Sequence, residues 1–174
     1  MPSSYQAPMR QDAERKPKTV SQSTKSNLSN DTATVSKLLD GKGGSVFSVK
    51  PEDTLLSATK LLREKGIGAL VVTGPDGDLQ GILSERDIVR KLAETEDVSL
   101  QQTVDQNMTR KVETCAPDDT LVSVLRKMTK GRFRHMPVVD DEKLCGVITI
   151  GDVVNYRLTE LEHEALQLKQ MIVG

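Results

Sequence analysis

Tryptophan is absent from the 174-residue chain, whose aromatics are two tyrosines and two phenylalanines. At 2% aromatic content there is little material for a platform on which unpaired bases could stack. Cysteine is scarce as well. Cys115 and Cys145 lack the spacing of a CxxC pair or a zinc site. They read as small buried hydrophobes in a reducing compartment, which points to the cytoplasm. His135 and His163 stand far apart in no metal-ligand pattern, so no metal is expected. Neither sign of charge dominates: 24 Lys and Arg face 25 Asp and Glu, for a net charge of −1. That balance argues against a nucleic-acid partner or a membrane surface. No apolar run is long enough to cross a bilayer. The first residues lack the charged-then-apolar order of a signal peptide.

What is present begins with a polar tail. Residues 1–31 are rich in Ser, Gln, Lys and Asn and poor in aliphatics, too little to bury for order, and are read as disordered. A transit peptide, which would direct the chain into an organelle, is the weaker reading because Asp12 and Glu14 interrupt the basic character. The remaining length suits one globular unit, or two small ones sharing a core, without disulfides or metal.

The dominant feature is an internal repeat. Pro51-Glu52-Asp53-Thr54-Leu55 matches Pro117-Asp118-Asp119-Thr120-Leu121 at an offset of 66. Gly81-Ile82-Leu83-Ser84-Glu85-Arg86-Asp87 matches Gly146-Val147-Ile148-Thr149-Ile150-Gly151-Asp152 at an offset of 65, one residue having been lost in the turn after Val72. The copies span 34–95 and 102–160, and a fainter echo relates 34–39 to 103–108. Each copy predicts an extended piece (45–49 or 111–115) and a helix capped by Asp53 or Thr54, or by Asp119 or Thr120. The apolar helix faces are Leu55, Ala58, Leu61 and Leu62, and Leu121, Val124, Leu125 and Met128. A strand (69–72 or 136–139), a turn, a second strand and a second helix follow. The expected fold is α/β: two β-α-β-β-α repeats packed sheet to sheet with pseudo-twofold symmetry, leaving two equivalent clefts. One copy alone could not bury its sheet.

Ser84-x-x-Asp87 and Thr149-x-x-Asp152 each precede an apolar helix. The spacing is that of a capping box with Asp in the usual Glu place, worth about 1 kcal/mol per helix and needing no ligand. The same geometry suits a nucleotide. A helix N-terminus attracts phosphate, and a carboxylate there accepts ribose hydroxyls. Lys130-Gly131-Arg132-Phe133-Arg134-His135 adds two arginines two residues apart, entering a strand, so that both aim to one side. Such a pair fits phosphate or diphosphate. The alternative is a solvated pair balanced by Asp140, Asp141 and Glu142. Copy one has Gly66 and Gly68 at the matching positions, so the two clefts should bind unequally.

These residues resemble the cystathionine β-synthase-type domain, the CBS domain, in its tandem pair or Bateman module. The doubled glycine-apolar-x-Ser/Thr-x-x-Asp signature carries the resemblance, with Pro-x-Asp-Thr-Leu and His135-Met136-Pro137-Val138-Val139 in support. It is closest to the small stand-alone CBS-pair proteins of bacteria and plants. The resemblance implies a cleft for adenosine-containing ligands such as AMP, ADP, ATP, S-adenosylmethionine or a dinucleotide, here AMP, ATP or NAD(H), with no cofactor required. It implies that Asp87 and Asp152 hold ribose, and that Ser84 and Thr149 contact ribose or phosphate. Arg132, Arg134 and Arg86 are the phosphate candidates. Adenine would lie near Val46, Ile67 and Ala69, or near Val112, Phe133 and Met136.

No nucleophile-base-orienter trio, metal cluster or glycine-rich phosphate loop is visible, so the chain reads as no enzyme. The last segment has no breaker before Gly174, and Leu158, Leu161, Ala165, Leu168 and Ile172 step by 3, 4, 3 and 4. That is a coiled-coil-like seam, with 161–174 as an oligomerisation extension. The expected function is a homodimeric regulatory sensor that binds an adenine nucleotide and signals to a protein partner. A ligand-free dimerisation scaffold is the alternative.

Overall fold

The computed structural model describes residues 33–43, 45–94 and 99–173, so the tail at 1–31, position 95 and the first half of the joint between the copies lie outside the described residues. Copy one runs β1 (Ser48–Val49), α2 (Leu55–Lys65), β2 (Ala69–Thr73), β3 (Leu79–Ser84) and α3 (Glu85–Glu94), preceded by α1 (Val35–Lys42). Copy two runs α5 (Leu121–Gly131), β4 (His135–Asp140), β5 (Lys143–Thr149) and α6 (Ile150–Val173), preceded by the short α4 (Val104–Asn107). β1 pairs parallel with β2, and β2 antiparallel with β3. In copy two β4 pairs antiparallel with β5, and the place of β1 is taken by Cys115 alone, bridged in parallel to Val138. The extended pieces expected at 45–49 and 111–115 thus shrink to a pair and a single residue. Lys111, Val112 and Glu113 line a cavity instead.

Thr54 and Thr120 cap the first helices, each accepting from a backbone N–H three residues on, Ser57 and Ser123, at 3.2 Å. Asp53 and Asp119 hold the turns before them, accepting from the N–H groups of Lys50 and Ala116. The helix faces then fill two cores. Leu55, Ala58 and Leu62 pack with Leu70, Val72 and Leu83. Leu121, Val124 and Met128 pack with Met136, Val138 and Ile148. Val71 and Pro137, on the opposite sheet faces, are buried too, so each sheet is covered on both sides.

The lead-in to each copy packs on the other copy. The backbone N–H groups of Val35 and Ser36 donate to the carbonyls of Asp119 and Pro117, and that of Leu121 to Ala33. Their counterparts repeat the pattern: Val104 to Asp53, Asp105 to Pro51, and Leu55 to Gln102. Val35 and Leu38 therefore sit in the second core and Val104 in the first. This exchange explains the glycine that opens each repeated motif. A Cβ on Gly81 would stand 2.6 Å from Met108 Sδ, and one on Gly146 2.8 Å from Leu39 Cδ2. Met108 and Leu39 are the same position of the two lead-ins.

Cys115 is buried at the second core, and burial first, then the Asp119 carboxylate, pushes its thiol up to about 12. It behaves as an inert hydrophobe. α6 packs its start on the core through Val153, but every side chain from Leu161 to Ile172 is exposed.

Candidate functional site

Both helices that follow the repeated motif open with a complete capping box. Asp87 accepts from the Ser84 backbone N–H at 3.0 Å, and the Asp87 N–H returns to Ser84 Oγ at 3.2 Å. Asp152 accepts from the Thr149 N–H at 2.8 Å, and its own N–H returns to Thr149 Oγ1 at 3.0 Å. The local reading of the motif as a helix cap holds in both copies. Capping leaves room for more: the Ser84 bonds, including its hydroxyl at 2.6 Å, fall on Oδ2 of Asp87.

Around Asp87 the structure opens a cavity of about 630 Å³. Copy one supplies Ser84, Glu85, Arg86, Asp87 and Arg90, and copy two supplies Val112, Phe133, Arg132 and Arg134. The two arginines predicted as phosphate ligands therefore line the cavity of Asp87, in the other copy, although the Arg134 carbonyl accepts from the Ile150 N–H of their own copy's motif at 2.9 Å. Their geometry differs from the expected strand pair. Arg132 ends α5 in the left-handed region at φ 56°, and β4 starts only at His135, yet both residues line the cavity. Copy one keeps Gly66 at that left-handed position, where glycine is unstrained. A non-glycine residue there costs about 1–3 kcal/mol and is concentrated at functional sites. The Arg132 carbonyl is held by Arg86 Nη1 at 2.9 Å, which ties the two copies together at the cavity wall.

Two lining cations escaped the sequence reading, Arg90 and Lys111. Arg90 lies one helical turn beyond Arg86, and that i,i+4 spacing was a usable signal. Lys111 was hidden in a segment expected to be strand. The cavity's cations (Arg86, Arg90, Lys111, Arg132, Arg134) outnumber its carboxylates (Glu85, Asp87, Glu113).

Asp152 has different surroundings. Lys42, at the end of α1, forms an ion pair with it and also donates to the Val147 carbonyl at 3.1 Å. Burial pushes the Asp152 carboxyl up, but the Lys42 ammonium and the Thr149 N–H and hydroxyl outweigh it, and its pKa is held below the ordinary value. Asp152 and Lys42 line a groove of about 510 Å³ along α1 and α6, with Asn155, Tyr156 and His163. Among the predicted adenine contacts, Val112 and Phe133 line the Asp87 cavity. Met136 does not: it is fully buried in the second core, where the strand's alternation turns it inward. Val46, Ile67 and Ala69 are half-buried and line neither space, Ile67 packing against the first core. His135 lines the Asp87 cavity, its ring beside Gly68, and burial first, then Lys42, lowers its pKa. Among the described residues no group of His, Cys, Asp and Glu is arranged to hold a metal ion, and no helix is long and apolar enough to cross a membrane.

Comparison with known proteins bears on this geometry. A plant protein, "CBS domain-containing protein CBSX3, mitochondrial" from Arabidopsis thaliana, is 33% identical over 152 residues, covering 83% of this chain and 74% of the relative. Among solved structures, the CBS-domain containing protein ATU1752 from Agrobacterium tumefaciens is 43% identical with a TM-score of 0.69, covering 72% of this chain and 99% of that one. The CBS domain pair of MJ0100, solved in complex with 5'-methylthioadenosine and S-adenosyl-L-methionine, is 26% identical with a TM-score of 0.65, covering 74% and 98%. The family model for the CBS domain matches residues 44–94 and again 102–159, one match for each copy of the repeat, and the chain belongs to the CBS domain family as a tandem pair.

Proposed function

We propose that the protein is a regulatory sensor that binds an adenine nucleotide in the Asp87 cavity and transmits occupancy to a protein partner, without catalysing a reaction. One observation carries this reading: a single cavity joins a ribose-type carboxylate at a helix N-terminus, an apolar wall of Val112 and Phe133, and a cluster of cations from both copies. Its volume lies within the range of about 300–1,000 Å³ usual for small-molecule sites. In this arrangement Asp87 accepts the ribose hydroxyls, and Ser84 contacts ribose or phosphate. Arg86, Arg132 and Arg134, joined by Arg90 and Lys111, face the phosphates. The MJ0100 pair, whose complex contains adenosine-derived ligands, supports the ligand class. The excess of cations favours AMP, ATP or NAD(H) over a sulfonium or an uncharged thioether. A ligand bridging the copies would favour one packing of the two halves, which is how occupancy reaches a partner.

Isothermal titration with AMP, ATP, NADH and S-adenosylmethionine tests this. Affinity should rise with phosphate charge and fall with added salt. Folded protein that gives no heat with any of them would end the nucleotide reading.

A second reading rests on α6. Leu161 is 47% exposed, Leu168 58% and Ile172 83%, in one seam on a helix that has left the core. We infer that this seam pairs with a second copy, making a homodimer. Leu161→Glu with Leu168→Glu should turn a dimer into a monomer in sedimentation equilibrium. A wild-type monomer at micromolar concentration would refute the pairing. If dimerisation survives and nucleotide binding fails, the protein is a scaffold. For location we propose a reducing compartment, the cytoplasm first, on the two free cysteines. An organelle interior of the kind named for the plant relative is the alternative.

A further inference from the structure

Lys42 and Lys111 occupy one position of the repeat. Val35 and Val104 make the same bond to the opposite copy, to the carbonyls of Asp119 and Asp53, and each lysine follows seven residues later. The two lysines nevertheless behave differently. Lys111 shares its cavity with four guanidinium groups and, among the described residues, makes no ion pair with Asp87. Lys42 has no such company. The positions equivalent to Arg86, Arg90, Arg132 and Arg134 are Gly151, Asn155, Gly66 and Gly68. With no competing cation, the ammonium settles on Asp152 and is anchored a second time by the Val147 carbonyl. It donates to Oδ2, the oxygen that the Thr149 N–H also uses. Oδ1 is left over here as at Asp87, but a ribose arriving at Asp152 would meet the paired Lys42 ammonium at the carboxylate, a group with no counterpart on Asp87, and would have to displace it to take both oxygens.

We propose that Lys42 closes the Asp152 cleft to ribose, so that each chain takes one adenine nucleotide, in the Asp87 cavity, and that this one lysine decides between one site and two. The inference rests on the nucleotide reading above. It is independent of which phosphate chain is preferred.

Stoichiometry tests it, using the full chain and two probes, ATP and adenosine, by calorimetry and native mass spectrometry. Wild type should hold one equivalent of either per chain. Lys42→Met, at an exposed position that should fold normally, should gain a second equivalent of adenosine, weaker than the first by about tenfold or more. Adding Asp152→Asn to Lys42→Met should return the count to one. Two equivalents in wild type overturn the proposal while leaving the nucleotide reading intact. A Lys42→Met protein still limited to one adenosine overturns it equally. No binding of ATP or adenosine by wild type or variant would end the nucleotide reading itself, and this inference with it.

Discussion

Asp87 and Asp152 stand at the same point of two copies of one motif, and each accepts the backbone N–H of the hydroxyl residue three before it. Around Asp87 lie five cations and a cavity that draws on both copies. Around Asp152 the arginine positions read Gly151, Asn155, Gly66 and Gly68, and the chain's own Lys42 fills the role of counter-ion. The frame that the repeat duplicated is indifferent to this divergence. Caps, turns, core positions and even the register shift in each sheet, at Val72/Thr73 and Val138/Val139, are retained. Four surface substitutions separate a cationic cavity from a self-paired one. Because these residues contribute little to either core, they were free to change without loss of fold.

The sharpest way to erase the contrast is to write copy one's glycines into copy two. Arg132→Gly with Arg134→Gly removes two charge-assisted phosphate contacts, each worth about 1.5 kcal/mol or more. ATP affinity should fall about 100-fold, or roughly 3 kcal/mol. Adenosine affinity should move little, since the Asp87 carboxylate and the Phe133 and Val112 wall are kept. An equal loss for both ligands would mean that the arginines shape the cavity instead of reading charge.

A second comparison concerns the glycines that open the motif. At Gly81 an added Cβ would press on Met108 Sδ and come within 3.0 Å of the Thr109 carbonyl oxygen, which itself accepts from the Ile82 N–H. At Gly146 the neighbours are the tips of the Leu39 side chain, which can turn aside. Gly81→Ala should therefore cost about 2 kcal/mol in urea unfolding, and Gly146→Ala about 1 kcal/mol or less. Equal costs would show that the exchanged lead-ins yield to the same degree on both sides.

Much of this was legible in the residues. The offset of 66 in the first helix and 65 in the second motif gave the duplication, the helix faces and the turn. Thr54 and Thr120 did cap, with Asp53 and Asp119 displaced to the turn before. Two things were not legible. Chain order places α1 with copy one, whereas the bonds of Val35 and Ser36 run to copy two. That exchange rests on backbone bonds between residues more than 45 positions apart, such as Val35 with Asp119 and Val104 with Asp53, which no local pattern records. Nor does any local pattern say which cleft Arg132 and Arg134 face: the Arg134 carbonyl bonds to Ile150 of its own copy, yet both residues line the Asp87 cavity. Met136 matched the family pattern but alternates into the core, so the strand's period overruled the motif.

Arg132 alone offers a smaller, opposite effect. At φ 56° it carries left-handed strain of roughly 1–2 kcal/mol that Gly66 does not, partly offset by the extra freedom glycine gives the unfolded chain. Arg132→Gly should stabilise the protein by about 0.5–1 kcal/mol, a rise of roughly 1–4 °C in Tm, while weakening ATP. Glu142→Gly, at φ 64° in the β4–β5 turn and outside the cavity lining, should stabilise similarly and leave ATP binding alone. If Arg132→Gly lowers the Tm, the arginine side chain makes a structural contribution larger than its backbone strain.

The smallest difference is one of acidity. His135 has Ala69 as its counterpart in copy one, so a single titrating ring lies where the halves meet. Burial lowers its pKa beneath the ordinary 6.5, with Lys42 and Arg134 in the same direction and Glu85 and Asp152 against it. As the pH falls below 6.5, the unfolded chain takes up a proton that the folded ring resists, so stability is complete above that value and is lost as the pH drops towards the folded pKa. His135→Ala should flatten the fall in unfolding free energy as the pH drops below 6.5, read from urea unfolding at a series of pH values. Parallel curves for the two proteins would mean that the ring meets its proton equally well folded and unfolded, and that the boundary between the halves is wetter than its packing against Gly68 implies.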